Sequence, residues 1–264
     1  MVGRGHLPDA LAPTAGALVA SAAAGPAFAL NAVSFLASAA LLSRLRLPAR
    51  PPAAQTRLAE IAEGLRAVRD SRFLSTLAGV QALAALSAGA TFALLVVLAG
   101  RHLHAGAARF GLILGAIGLG AGFGPLALQR LDRDVRRAGW LFGPYLLRGL
   151  VDLTLAATSS FGVAAGALAV YGAGTSTGNV TYNSVLQTGV PDRIRGRVFA
   201  FYDVVWQTTR LASIGLGGVL AGAYGITVVY VTGGALLLTA GVLGLSRAGP
   251  PPRPASGGAN PPGA

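Results

Sequence analysis

The chain has 264 residues, of which 53% are hydrophobic and 11% are charged, with a formal net charge of +12 and no cysteine. Soluble domains carry about 25% charged residues, so this composition argues against a soluble globular protein. The absence of cysteine excludes disulfides, thiolate metal sites and a cysteine nucleophile. A strongly basic chain can bind nucleic acid. Here, however, the arginines lie in short connectors and form no compact basic face, so we expect no nucleic-acid partner.

The apolar stretches of the chain have the length of membrane spans. A helix needs about 20 apolar residues to cross a hydrocarbon core of about 30 Å. The first stretch is the shortest and is interrupted by Pro13. In chain order we expect eight spans, near Ala10–Ala24, Pro26–Leu45, Phe73–Leu98, Phe110–Leu128, Gly139–Thr158, Phe161–Gln187, Val198–Tyr224 and Ile226–Leu245. The predicted fold class is therefore all-α, a polytopic helical membrane protein whose first partner is the lipid bilayer.

Two segments are not expected to span the membrane. Residues 46–72 form a linker in which a Pro-rich break precedes apolar residues at three- and four-residue steps, a pattern that predicts an amphipathic surface helix. Those apolar residues are Leu58, Ile61, Leu65 and Val68. Residues 246–264 are rich in Pro and Gly and are expected to form a disordered tail. The linker separates two spans in residues 1–45 from six spans in residues 73–245.

Arginines are concentrated in every second connector. They cluster in residues 44–72, 130–137 and 193–197, whereas the connectors of the other parity contain only Arg101 and Arg109. Cytoplasmic loops of membrane proteins carry the positive excess. The alternation therefore predicts that both termini are cytoplasmic.

Three stretches carry a resemblance to a known family. They are Gly25–Phe35, the linker sequence Glu63–Arg66, and Pro191–Phe199 with Tyr202 and Asp203 after it. Together they resemble the sixth span, the central loop and the loop before the eleventh span of the major facilitator superfamily. Within it, the chain is most similar to the bacterial exporters that include the enterobactin and macrolide efflux proteins.

The resemblance implies a function and a location. It implies secondary transport of a small-molecule substrate, in the direction of efflux, by alternating access around a site near the middle of the membrane. The location implied is the bacterial inner membrane. The antiporter signature of the family's fifth span would fall at Ala12–Ala17, where only Pro13 and Gly16 match. A proton as the coupling ion therefore stays open.

The resemblance also implies a gap. The family has twelve spans in two halves of six, and the eight expected spans correspond to spans five to twelve. We expect such a chain to enter the membrane but to move no substrate by itself, unless it forms a homodimer or meets a separate N-terminal half. A truncated, non-transporting membrane remnant or a scaffold is the alternative.

Polar side chains form a stripe along the sixth expected span. Hydrogen-bonding groups that face lipid are costly, so the stripe should face protein or a water-filled cavity. The resemblance implies that this span and the third expected span line the transport path. The candidate substrate-pathway residues are Gln81, Thr91, Tyr171, Thr175, Asn179, Tyr182 and Asn183. Dry hydrogen bonds between helices are the other interpretation, and both stay open.

Four charged residues lie inside expected spans and are candidates for gating or ion pairing. Arg148 and Asp152 are one helical turn apart and are predicted to pair within their own helix. Asp203 lies a short distance inside the membrane from the 193–197 connector, where a gate charge is expected. Arg210 follows on the same span.

One pattern suggests an enzyme and does not hold. Residues 174–178 fit the G-x-S-x-G nucleophile motif, which requires a strand-turn-helix context and a downstream histidine. The three histidines, His6, His102 and His104, all precede the motif, which lies inside an expected span. We therefore expect no enzymatic activity, no cofactor and no metal site.

Overall fold

In the computed structural model, the described residues are 24–45, 57–131 and 137–248, and these are helical with no strand. The expected all-α class is therefore confirmed in this part of the chain. The helices are α1 (Ala24–Ser43), α2 (Arg57–Asp70), α3 (Arg72–Ala93), α4 (Ala107–Leu131), α5 (Ala138–Ala157), α6 (Phe161–Gly189), α7 (Asp192–Tyr224) and α8 (Ile226–Arg247). The first expected span before Ala24, the Pro-rich break Pro48–Ala54 and the expected tail after Ala248 lie outside the described residues.

Helices α1 and α3 to α8 coincide with expected spans. By length and composition, three described helices are apolar enough to cross a membrane: Arg72–Ala93, Ala107–Ala127 and Ile226–Arg247. Helix α1 is also apolar, whereas α5 carries Arg148 and Asp152 and α6 carries the polar stripe. Polarity inside α5 and α6 therefore has to be explained by what those helices contact.

The third expected span is interrupted near its end. Helix α3 stops at Ala93, and Leu94 has φ −94° and ψ 6°, outside the helical region. A single turn at Leu95–Val97 and a wider π-helical turn at Leu98–His102 follow. The β-branched Val96 and Val97 crowd the preceding turn of a helix, which is consistent with a break at this point.

Helix α7 begins before the expected span. It starts at Asp192, so the arginines of residues 193–197 lie on its first turns rather than in a loop. Pro191 precedes the helix with an extended backbone, and Asp192 places a negative charge near the positive end of the helix dipole. These are strong start signals, which the apolar pattern alone does not reveal.

Close helix crossings depend on glycine. A Cβ added at Gly120 of α4 would collide with the Ala169 carbonyl of α6, and one added at Gly172 would collide with the Ile117 carbonyl. Small residues let helix backbones approach closely in lipid, where van der Waals contact drives association. The bundle is therefore packed backbone to backbone where α4 meets α6.

The buried apolar side chains form two clusters, one towards each end of the bundle. One includes Leu77, Phe142, Tyr202 and Leu237. The other includes Leu98, Ile113, Leu155 and Tyr230. Between the clusters lie the buried polar and charged residues of α3 and α5. In contrast, α1 leaves most of its large apolar side chains exposed, with Phe28 at 72% and Phe35 at 69%.

Candidate functional site

Polar and aromatic side chains of four helices surround a cavity of about 80 Å³. Four of the seven predicted pathway residues are in its lining, together with Arg148. The lining consists of Gln81 from α3, Pro144, Tyr145 and Arg148 from α5, Gly174, Thr175, Gly178, Asn179 and Tyr182 from α6, and Trp206 from α7. We refer to this space as the polar cavity.

In the lining of the polar cavity, Gln81 is hydrogen-bonded to Tyr145, which is not among the predicted pathway residues. The Tyr145 hydroxyl donates a hydrogen bond to Oε1 of Gln81 over 2.6 Å, and both residues are buried. Tyr145 lies three residues before Arg148, so the two share a helix face. That spacing was the available signal for Tyr145.

Tyr182 joins α6 to α7 at the edge of the polar cavity. Its ring packs edge-to-face against Phe199, at 6.5 Å between centroids, and against Tyr202, at 5.9 Å. Edge-to-face pairs of this kind add stability beyond the area they bury. Trp206 lies one helical turn after Tyr202 and also lines the cavity. Nothing in the sequence pattern distinguished Trp206 from an ordinary packing residue.

Arg148 and Asp152, which both lie in the described residues 137–248, do not form an ion pair with each other. Nη2 of Arg148 donates to the Tyr171 hydroxyl over 2.9 Å, and its guanidinium lies 4.7 Å from the centre of the Tyr171 ring. Asp152 instead accepts a hydrogen bond from Oγ of Ser87 over 3.3 Å. Each charged group therefore binds a neutral side chain on another helix, which an argument from spacing along one helix cannot foresee.

Thr91 and Tyr171 line a second, very small cavity. It measures about 10 Å³ and is also lined by Asp152 and Tyr230. The Tyr230 hydroxyl donates to the Thr91 carbonyl over 2.7 Å, and the Thr91 hydroxyl donates to the Ser87 carbonyl over 3.1 Å. Since a water needs at least about 10 to 15 Å³ of this kind of volume, the space holds one water at most.

The remaining predicted residues lie outside the polar cavity. Asn183 is exposed, and its Nδ2 donates to the Asn179 carbonyl over 2.8 Å. Asp203 is exposed on α7, and Arg210 is half-buried further along that helix. Asn179 is exposed as well as lining the cavity, so the cavity reaches the surface of the bundle at that residue.

A third cavity, of about 130 Å³, lies between α3, α7 and α8. It is bordered mainly by leucine, glycine and alanine, with hydroxyl groups from Ser87, Ser213 and Thr232. None of the described residues in its lining is charged. Its apolar character makes it a packing space rather than a polar binding site.

Comparison with known proteins identifies the chain's relatives at the family level. The family model described as "transmembrane secretion effector" matches residues 8–254. No curated protein matches the chain, and no solved structure matches it.

Proposed function

Because the chain belongs to the transmembrane secretion effector family, which is of the major facilitator type, we propose that it exports a small molecule by alternating access, with the polar cavity as part of the substrate path. Because it belongs to this family, the chain is a multi-pass membrane protein with a transporter fold. The family is one of transporters and not of enzymes. The motifs at residues 63–66 and 191–199 support the bacterial exporter branch similar to the enterobactin and macrolide efflux proteins.

One observation carries the proposal: the polar cavity continues onto an exposed polar face. Asn179 and Asn183 on α6 are exposed, and so are Asp203 and Gln207 on α7, and the two residues of each pair are one helical turn apart. Polar groups at membrane depth are tolerated where they meet protein or line a water-filled cavity. Ionisable groups there commonly mark substrate or ion paths. The face is therefore proposed as one wall of the path.

The opposite wall is proposed to be a second set of helices, from an N-terminal half or from a second copy of this chain. In alternating access, the two sets rock against each other around a site at their interface. A proton is the proposed coupling ion, and Asp203 is the proposed gate charge, because its carboxyl group is exposed on the polar face. Substrate and ion would then use the same face.

The arginine alternation supports an orientation in the bacterial inner membrane with both termini cytoplasmic. A reporter enzyme fused after Arg137 or Arg197 is expected to be active in the cytoplasm, and one fused between Arg101 and Arg109 outside it. Cytoplasmic activity at all three points would contradict the proposed topology.

Thiol labelling tests whether the polar face is wet. The chain has no cysteine, so single cysteines can be placed without background. Asn179→Cys is expected to react with a small, charged, membrane-impermeant maleimide, and Leu150→Cys, an exposed apolar position on α5, to react far more slowly because it faces lipid. Equal, slow labelling at both positions would show a dry face and reject the proposed path.

Transport itself is tested in cells that lack their own drug exporters. The cells express the protein, are loaded with ethidium, fluorescein or Nile red, and are then re-energised with glucose. Because a second copy of the chain can supply the opposite wall, faster loss of one dye from expressing cells is the expected result, and Gln81→Leu should slow that loss. No difference for any of the three dyes would favour the non-transporting scaffold.

A further inference from the structure

Two residues that line the polar cavity each have a buried polar atom with no hydrogen-bond partner. These are Nε of Arg148 and Oγ1 of Thr175, and both residues line the cavity. The Arg148 side chain is only 7% exposed. A third atom of this kind among the described residues, Nε2 of His102, lies at the π-helical turn and not in the cavity. Buried polar groups are nearly always satisfied, so the two cavity atoms call for a partner.

A cationic side chain borders the polar cavity. Its lining contains the Arg148 guanidinium and, among the residues that the structure describes, no carboxylate. Asp152 faces the other, smaller cavity and is bound by Ser87. Asp152 attracts Arg148 electrostatically but is not in the lining of the polar cavity. A desolvated guanidinium with a free N–H favours an oxyanion, because charge-assisted hydrogen bonds are the strong ones.

The size and the borders of the cavity limit what can enter. About 80 Å³ accommodates a group of a few atoms, since about 10 to 15 Å³ of this kind of volume holds one water. The rest of a larger molecule has to leave past Asn179, where the cavity reaches the surface. The rings of Tyr182 and Trp206 also border the cavity, and they offer flat apolar surfaces with polar edges.

From these observations, and resting on the proposed function, we propose that the polar cavity binds the carboxylate of an aromatic carboxylic acid. The Arg148 Nε–H and the Thr175 hydroxyl donate to the carboxylate, and the aromatic body of the acid lies against Tyr182 and Trp206. The substrate class of this protein is then the small organic anions with an aromatic ring.

Tryptophan fluorescence tests the proposal directly. The chain has two tryptophans, and Trp140→Phe leaves Trp206 as the only one. The protein is studied in lipid nanodiscs with 4-nitrobenzoate as the quenching probe and 4-nitrobenzamide as its uncharged counterpart of the same shape. Saturable quenching by the acid, at least tenfold tighter than by the amide, is expected. Equal quenching by acid and amide would overturn the proposal.

Variants assign the binding to the named groups. Arg148→Gln should weaken acid binding tenfold or more and abolish the preference over the amide, whereas Arg148→Lys should keep the preference. Thr175→Val, which keeps the shape and loses the hydroxyl, should weaken acid binding about threefold or more, so the proposal stays testable if Arg148→Gln does not fold. Unchanged acid binding in Thr175→Val and Arg148→Gln together would place the probe elsewhere.

A matched control excludes adsorption of the probe to lipid. In Trp206→Phe the remaining Trp140 lies at the start of α5 and outside the cavity lining, so its quenching should not saturate. Saturation with Trp140 alone would indicate binding outside the cavity and overturn the assignment. The fluorescence assay uses no ion gradient, so it measures binding independently of transport. Selective binding of the acid without dye export would reject only the proposed transport. Dye export without a preference for the acid would reject only this inference.

Discussion

Glu63 of α2 forms an ion pair with Arg193 at the start of α7, with 2.6 Å between Oε1 of Glu63 and Nη1 of Arg193. The second oxygen of the same carboxylate binds Arg197, and Gly64 lies directly against Arg197. The linker motif Glu63–Arg66 and the motif Pro191–Phe199, which lie far apart in the sequence, are therefore in contact. The contact holds the linker helix to the helix that carries Trp206.

The first prediction concerns this contact. Glu63→Gln keeps the shape of the side chain and removes its charge, so the amide hydrogens of residues 62–69 should exchange faster. The increase should reach about fivefold, because a partly exposed ion pair contributes at most roughly 1 kcal/mol. Asp70→Asn, an exposed carboxyl on the same helix, should change nothing, and 1 M salt should reduce the difference. Identical exchange in Glu63→Gln and the unmodified protein would contradict the role given to this pair.

The second prediction concerns the Tyr145–Gln81 hydrogen bond. Tyr145→Phe removes the donor and leaves the buried Gln81 oxygen unsatisfied, which should lower the free energy of unfolding by about 1 to 3 kcal/mol. Unfolding in mixed micelles with increasing SDS measures the change. Tyr224→Phe is the control, because Tyr224 is 72% exposed and its hydroxyl can be lost without leaving a buried group. Equal stability of the two variants would argue against the bond.

The third prediction concerns the crossing of α4 and α6. Gly120→Ala places a methyl group against the Ala169 carbonyl, so overpacking should lower the free energy of unfolding by about 1 to 3 kcal/mol. Gly122→Ala, two residues away on the same helix, has nothing within 4 Å of the added Cβ. It should be neutral or slightly stabilising, because alanine is the better helix former. The opposite order of stability in the same SDS titration would rule out the packing described for this crossing.

The fourth prediction concerns Ser213, which lies between two backbone groups of α3. Its Oγ accepts from the Ala90 N–H over 2.9 Å and donates to the Leu86 carbonyl. Ser213→Ala removes both bonds in a buried position and should lower the free energy of unfolding by about 1 to 2 kcal/mol. Ser246→Ala removes a hydroxyl that is exposed and bonded within its own helix, so its stability should stay close to that of the unmodified protein. A Ser213→Ala protein as stable as Ser246→Ala would leave no role for this contact.

Part of the candidate site could be predicted from the sequence. A polar stripe on an otherwise apolar helix already indicates a side that avoids lipid, and Gln81, Thr175, Asn179 and Tyr182 do meet at one cavity. Tyr145 could be selected only through its three-residue spacing from Arg148. Trp206 could not be selected, because aromatic residues are also common in packed helix interfaces. Whether the cavity carries substrate stays a prediction.

The helical class, the position of most helices and the family could all be predicted from the sequence. Apolar length and arginine alternation are properties of each segment taken alone, because lipid imposes them on every span separately. Which side chains are in contact depends on how the helices pack against one another. The tertiary structure placed Arg148 against Tyr171 and Asp152 against Ser87, although the sequence predicted that the two charges pair with each other. In a helix bundle, the polar group nearest to a charged side chain depends on which helix faces pack together. The spacing of residues along one helix cannot predict such a contact, because the contact involves a second helix.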